Sequence, residues 1–241
     1  MRRAVALMIL VGFSGLCFAE DESQEPPLKY ILELNGQAHE LVLDKSVVLQ
    51  GDYKNPRVVL RASAIRHFTY GNVSFEYPAS FGWEAEIEGH NERTWTLSGN
   101  DFTIMYFILP EALSADSYVQ GLAKRFGKGS TRLGDTEREF GGRRHIGKLL
   151  LVKLAGTTLR LEVYSLTAKA GSRLLVFQDS PPDDRTISKE AEEALAMLSS
   201  SFMDKASNQS DPAVVVQAGP RLLRSEEGGR RADAYRSRTW L

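Results

Sequence analysis

Histidine is the first side chain to check for metal binding or proton transfer near neutral pH, and this sequence has four. His39, His67, His90 and His145 stand apart. None is paired at a ligand spacing such as H-x-x-x-H, and none has a carboxylate at a fixed motif distance. His90 in EGHNER and His145 in GRRHIG read as turn or strand-surface residues. No serine occupies a G-x-S-x-G elbow. The GKGS run at 127–130 lacks the Walker spacing and is better explained as the loop that ends a helix. Glu84, Glu86 and Glu88 alternate as the solvated face of a strand does. Two of them could serve as a glycosidase acid–base pair only at a separation that spacing along the chain does not define. The expectation is a protein with no catalytic residue, no metal and no cofactor.

Two other groups could make contacts rather than do chemistry. FTYGNVSFEYPASFGWEAE, residues 68–86, holds six aromatic rings, two glycines and a proline. Phe75 and Tyr77 alternate with Glu76 as inward residues of a strand, which Pro78 ends because it cannot donate to a ladder. Phe81 and Trp83 then cap the sheet. Tyr70 and Trp83 carry polar atoms that need partners, and with Tyr106 they are candidate rim residues for a ligand or partner. EREFGGRRHIGK sets Glu137, Arg138 and Glu139 on one arm of a hairpin and Arg143, Arg144 and His145 on the other. Cross-strand charge pairing accounts for that arrangement. Arg143 and Arg144 remain candidate contacts for an acidic protein surface or a lipid headgroup.

The elements that must position these residues follow from punctuation and periodicity. Residues 1–19 have the grammar of a secretory signal peptide: Arg2 and Arg3, an apolar run to Phe18, and Ala19 at the cleavage point. The run is too short to span a bilayer, which needs about 20 apolar residues. Leu16 before Cys17 makes a poor lipobox. The expectation is export by the general secretory route to the periplasm or the exterior. Cys17 is the sole cysteine, so cleavage excludes disulfides, thiolate catalysis and zinc–cysteine sites. Without Arg2 and Arg3, the 30 basic side chains fall to 28 against 31 acidic ones. That is no footprint of a nucleic-acid binder. No later apolar run is long enough to span a membrane.

Residues 20–27, acidic and ending Pro-Pro, read as a linker. Residues 28–64 read as a small β extension: a hairpin about Asn35-Gly36, then two short strands in SVVLQGDYKNPRVVLRA. The main domain is expected over 67–205. DFTIMYFIL alternates with Phe102, Ile104, Tyr106 and Ile108 on one face. SADSYVQGLAKRFG reads as a helix from Ser114 to Gly127. Three strand-like runs follow, TEREFGG, RRHIGKLLLVKLAG and TTLRLEVYSLTA, and then RLLVFQDS. A closing helix, SKEAEEALAMLSSSF, puts Ala191, Leu195, Leu198 and Phe202 on one stripe. Residues 206–241 lose all periodicity and are expected to be a disordered tail. Strands with helices between and after them indicate α+β with a largely antiparallel sheet.

VSFEYPASFGWE, followed by a strand, a helix beginning SADSYVQGLAKRF, hairpin strands with a Gly-Gly turn and a closing helix ending SSSF, resembles the PsbP-like superfamily. That group includes PsbP, Mog and DcrB-like proteins. The resemblance covers about residues 68–203. It implies an α-β-α sandwich around a central antiparallel sheet and, as for most of that superfamily, a non-catalytic binding or assembly role. The function expected is an exported module acting on other envelope proteins. One alternative is a carrier of a lipid or small apolar ligand, with Tyr70, Trp83 or Tyr106 near the mouth of a cavity between sheet and helix. A second is a hydrolase of unknown type, for which His67 and His145 are the best remaining residues. A large apolar cavity would favour the carrier, and a filled core the module.

Overall fold

The computed structural model describes residues 22–42, 45–49, 55–88, 91–127, 129–154, 156–182 and 186–206. The expected signal peptide, His90 and the expected tail from residue 207 lie outside the described residues.

Tight turns set the hairpins. Asn35 and Gly36 both have left-handed φ, 51° and 84°, the geometry whose twist matches paired strands. They join β1 (Lys29–Leu34) to β2 (Gln37–Val42), and β3 (Val58–Ala62) pairs with the other edge of β1. The further strand expected near Ser46 does not form over residues 45–49. Val47 and Val48 there are 47% and 87% exposed, and β-branched residues hold a strand only when a neighbouring surface packs against them.

Gly71 and Asn72 make a second left-handed turn, between β4 (Ile65–Tyr70) and β5 (Val73–Pro78). Strand β4 thus begins two residues ahead of the boundary expected at 67. A two-residue strand, β13 (Met203–Asp204), pairs with the free edge of β5. β6 (Gly82–Glu88), β7 (Glu92–Ser98), β8 (Phe102–Leu109), β9 (Thr131–Phe140), β10 (Arg143–Leu154), β11 (Thr157–Leu166) and β12 (Ser172–Asp179) form a seven-stranded sheet. Its order is β6-β7-β8-β12-β11-β10-β9, antiparallel at every step. After β8 the chain leaves the middle of this sheet through α1 (Ala115–Phe126) and re-enters at its far edge.

Both helices start and stop where their capping residues dictate. Ser114 Oγ accepts the Ser117 amide at 3.1 Å, and Gly127, at φ 87°, ends α1 behind Lys124 and Arg125. Ser188 Oγ accepts the Ala191 amide at 3.1 Å and opens α2 (Lys189–Ser201).

The period-two alternation of the large sheet divides the core in two. Leu174 and Val176 of β12 bury with Leu150, Val152, Leu161, Val163 and the α1 residues Ala115 and Val119. Leu175 and Phe177, on the other face, bury with Ala191, Ala194, Leu195 and Leu198 of α2 and with the aromatic residues of β4 and β5. The fold class is mixed α+β with strands predominating. On its second face the sheet is covered by α2 together with the small sheet β13-β5-β4, so that layer is not helical throughout.

Candidate functional site

The aromatic run at 68–86 builds one wall of the core, and its polar atoms determine what lies over it. Tyr70, Trp95 and Tyr106 stack in series, with interplanar angles of 14° and centroid spacings of 5.9 and 5.5 Å. Phe68 meets Trp95 and Tyr106 edge-on and stacks on Phe75 at 4.7 Å. Tyr106 donates its hydroxyl to the Gly71 carbonyl at 2.7 Å, and burial pushes its pKa up to about 12 against the opposing pull of Arg173. Three donors at the wall's edge, on Tyr70, Trp83 and Trp95, would be costly to leave without acceptors, at about 1–3 kcal/mol each where fully buried.

Residues 22–27 supply those acceptors. Trp95 Nε1 donates to the Glu22 carbonyl at 2.8 Å, Trp83 Nε1 to Ser23 at 3.2 Å and the Tyr70 hydroxyl to Gln24 at 2.7 Å. Three successive carbonyls therefore take bonds from three rings. The flanking carboxylates are also engaged. Glu22 pairs with Arg93 at 2.5 Å, and Glu25 meets the Arg66 guanidinium as an ion pair rather than an aligned hydrogen bond. Pro26 is buried beside them. The segment read as a linker is thus a turn strapped across the aromatic wall. Trp95, Arg66 and Arg93 were not among the residues expected at a site. The alternation of Thr94, Trp95, Thr96 and Leu97 was the available signal for Trp95. Nothing local marks the two arginines.

The other expected site residues are placed as follows. Tyr70 and Tyr106 are only 5% and 1% exposed, so neither stands at an open mouth, and Trp83 is half-buried. Arg143 and Arg144 lie apart from this cluster, exposed on the β9–β10 hairpin, where Arg144 pairs across the strands with Glu137. Arg143 and His145 border a groove of about 170 Å³ with Phe140, Phe202 and Asp204. There His145 lies flat on Phe140, centroids 3.7 Å apart, and burial lowers its pKa. His67 borders a different groove, of about 360 Å³, with Lys29, Glu40, Arg66 and Glu76. Glu84, Glu86 and Glu88 are exposed on β6, as their alternation implied.

One buried carboxylate is fully engaged. Glu162 is 2% exposed and lies 3.0 Å from Arg138 and 2.9 Å from Arg160, with the Tyr164 hydroxyl donating at 2.7 Å. Burial alone would raise its pKa, but the Arg138 charge, the Tyr164 bond and Arg160 outweigh that and hold it below 4.5. Among the described residues, no group of three or more His, Asp or Glu side chains gathers closely enough to hold a metal ion. Nor is any described helix long and apolar enough to cross a membrane.

The chain matches no protein-family model, and no curated protein matches its sequence.

Proposed function

We propose that this chain is an exported, non-catalytic binding or assembly module for other envelope proteins, built on a variant of the PsbP-like α-β-α sandwich. The observation that carries this reading is strand β3. All five of its residues are exposed, Val58 at 55% and Leu60 at 61%, and no described strand pairs with its outer edge. An edge strand whose exposed residues are mostly apolar, here Val58, Val59 and Leu60 beside the single charge of Arg61, is a template for an incoming strand. The occupant that fits is an extended, partly apolar segment of another envelope protein. The sandwich assignment is supported by the strand that ends at Pro78, the antiparallel meander, and the burial of α1 and α2 against opposite faces of one sheet.

The carrier reading draws less support. Where the large sheet meets α2, near Phe102, Phe177, Ala191 and Leu195, the free space is about 10 Å³, room for a single water at most. The space of about 350 Å³ between α1 and β9 is bordered by Ala123, Thr131 and Leu133, not by Tyr70, Trp83 or Tyr106.

Photo-crosslinking from position 60 in the full chain, in its native envelope, tests the proposal. A discrete crosslinked protein, lost when Val58 is changed to lysine with the crosslinker kept at position 60, is the expected outcome. A chain that never crosslinks and runs as a bare monomer in native mass spectrometry rejects the module. A reproducible bound mass of a few hundred daltons would put the carrier in its place.

A further inference from the structure

We propose that the wall formed by Tyr70, Trp83 and Trp95, flanked by Arg66 and Arg93, is a peptide-recognition site that residues 22–27 occupy in cis. Its ligand in trans is an acidic segment of a partner protein with two carboxylates three residues apart, the second followed by proline. This proposal names a site and a partner chemistry for the binding role above, and rests on that reading for its biological use.

The bound segment shows what the groove reads. Three ring donors hold three consecutive main-chain carbonyls, so the groove reads backbone at Glu22, Ser23 and Gln24 whatever side chains they carry. Sequence enters at two points. Arg93 and Arg66 take the carboxylates of Glu22 and Glu25, and the Pro26 ring is buried beside the second. Recognition of main chain by rigid aromatic donors, with charge and a proline ring adding selectivity, is how aromatic-lined grooves bind proline-containing peptides.

The way the segment is held suits exchange. Residues 22–27 belong to no ladder among the described strands. The carbonyls of Glu22, Ser23 and Gln24 are held by side chains of β7, β6 and β4, which pack in or against the aromatic core. Tethered directly to β1, the segment acts at a millimolar-scale effective concentration. A free peptide therefore competes poorly with it, and a partner gains the groove when its own segment is held nearby, as it would be once docked elsewhere on the module. Arg66 and Arg93, with side chains 14% and 26% exposed under the strap, would then face the incoming carboxylates.

The probe is a fluorescein-labelled peptide ESQEPPL, the sequence of residues 22–28, titrated by anisotropy into the full chain. Glu22→Ala with Glu25→Ala weakens the cis strap without touching the groove. This double variant should bind the peptide at least about tenfold more tightly than the unaltered chain. Adding Arg66→Ala and Arg93→Ala should remove that gain, as should replacing both peptide glutamates with glutamine. Near-UV circular dichroism reports that each variant is folded. If the alanine pair fails to fold, Glu22→Gln with Glu25→Gln removes the charges and keeps the shape. A folded, strap-weakened chain that does not bind millimolar peptide overturns the proposal, and residues 22–27 are then only a seal on the core. Binding indifferent to Arg66 and Arg93 overturns it too. The position-60 crosslink separates this proposal from the module reading: its persistence without peptide binding leaves the module standing and removes the groove.

Discussion

Arg173 and Asp204 form a buried ion pair, with Nη1 and Oδ1 3.0 Å apart and side chains 6% and 7% exposed. The same guanidinium donates to the Tyr106 hydroxyl at 2.7 Å and to the Thr167 carbonyl at 2.6 Å, so it ties the large sheet, the loop after β11 and strand β13 together. Removing one partner leaves the other charged and buried. Asp204→Ala should therefore destabilise the fold by about 3–5 kcal/mol in urea unfolding. A loss under about 1 kcal/mol, the range of a surface pair, would mean that solvent reaches this pair.

Glu162 should place an acid limit on stability. Its carboxyl is held below the ordinary value of 4.5 in the folded chain, so the unfolded chain takes up the proton first as pH falls. The stabilisation is fully present above pH 4.5 and is lost as pH drops through the lower folded value. His145, held below 6.5, adds a loss of the same sign at higher pH. Urea midpoints measured from pH 7 to pH 3 should fall, and Glu162→Gln should flatten the part below pH 4.5. A variant curve parallel to the parent's would remove Glu162 from the acid limb.

Gly71 should tolerate no side chain. Its φ is +58°, and a Cβ there would stand 2.6 Å from Ile108 Cδ1 and 2.8 Å from the Tyr106 ring. Left-handed strain of about 1–3 kcal/mol adds to the displacement of a packed aromatic. Thermal unfolding of Gly71→Ala should show a clear loss, whereas Gly142→Ala, also at positive φ but with nothing within 4 Å, should lose less.

Tyr70→Phe removes the donor to Gln24 and keeps the ring. We expect a loss of about 1 kcal/mol, typical of one hydrogen bond, with faster backbone hydrogen exchange confined to residues 22–28. Uniform acceleration across the aromatic strands instead would show that the strap and core open as one unit.

Local chemistry was legible in the sequence. Ser114 and Gly127 bound α1, the stripe of Ala191, Leu195, Leu198 and Phe202 is buried, and Asn35-Gly36 turns the first hairpin. Phe102, Ile104 and Tyr106 face inward with Ile108 packed against them, as the alternation of β8 required. Each of these signals is carried by residues a few positions apart. The rest depends on distance. Nothing near Met203 shows that it pairs with Ser74, and nothing in a Pro-Pro run shows that the residues before it satisfy Trp83 and Trp95. Tyr70 and Trp83 read from the sequence as rings whose polar atoms need partners, and in the fold those atoms donate to the chain's own carbonyls. Arg143 and Arg144 drew notice as a pair, while Arg66 and Arg93, isolated in the sequence, converge on one segment only through the fold.

The small sheet closes late. Met203 lies against Ser74 and Asp204 against Val73, so β5 keeps an open edge until residues from the far side of the domain arrive. A chain made or threaded N-terminus first, at about 5–20 residues per second, carries that edge unpaired for roughly ten seconds. Phe75, buried against Phe202 in the finished fold, has no such neighbour during that interval. The nascent protein thus passes through a stage with a sticky half-built sheet, the stage at which a holdase would bind it and crowding would make it aggregate.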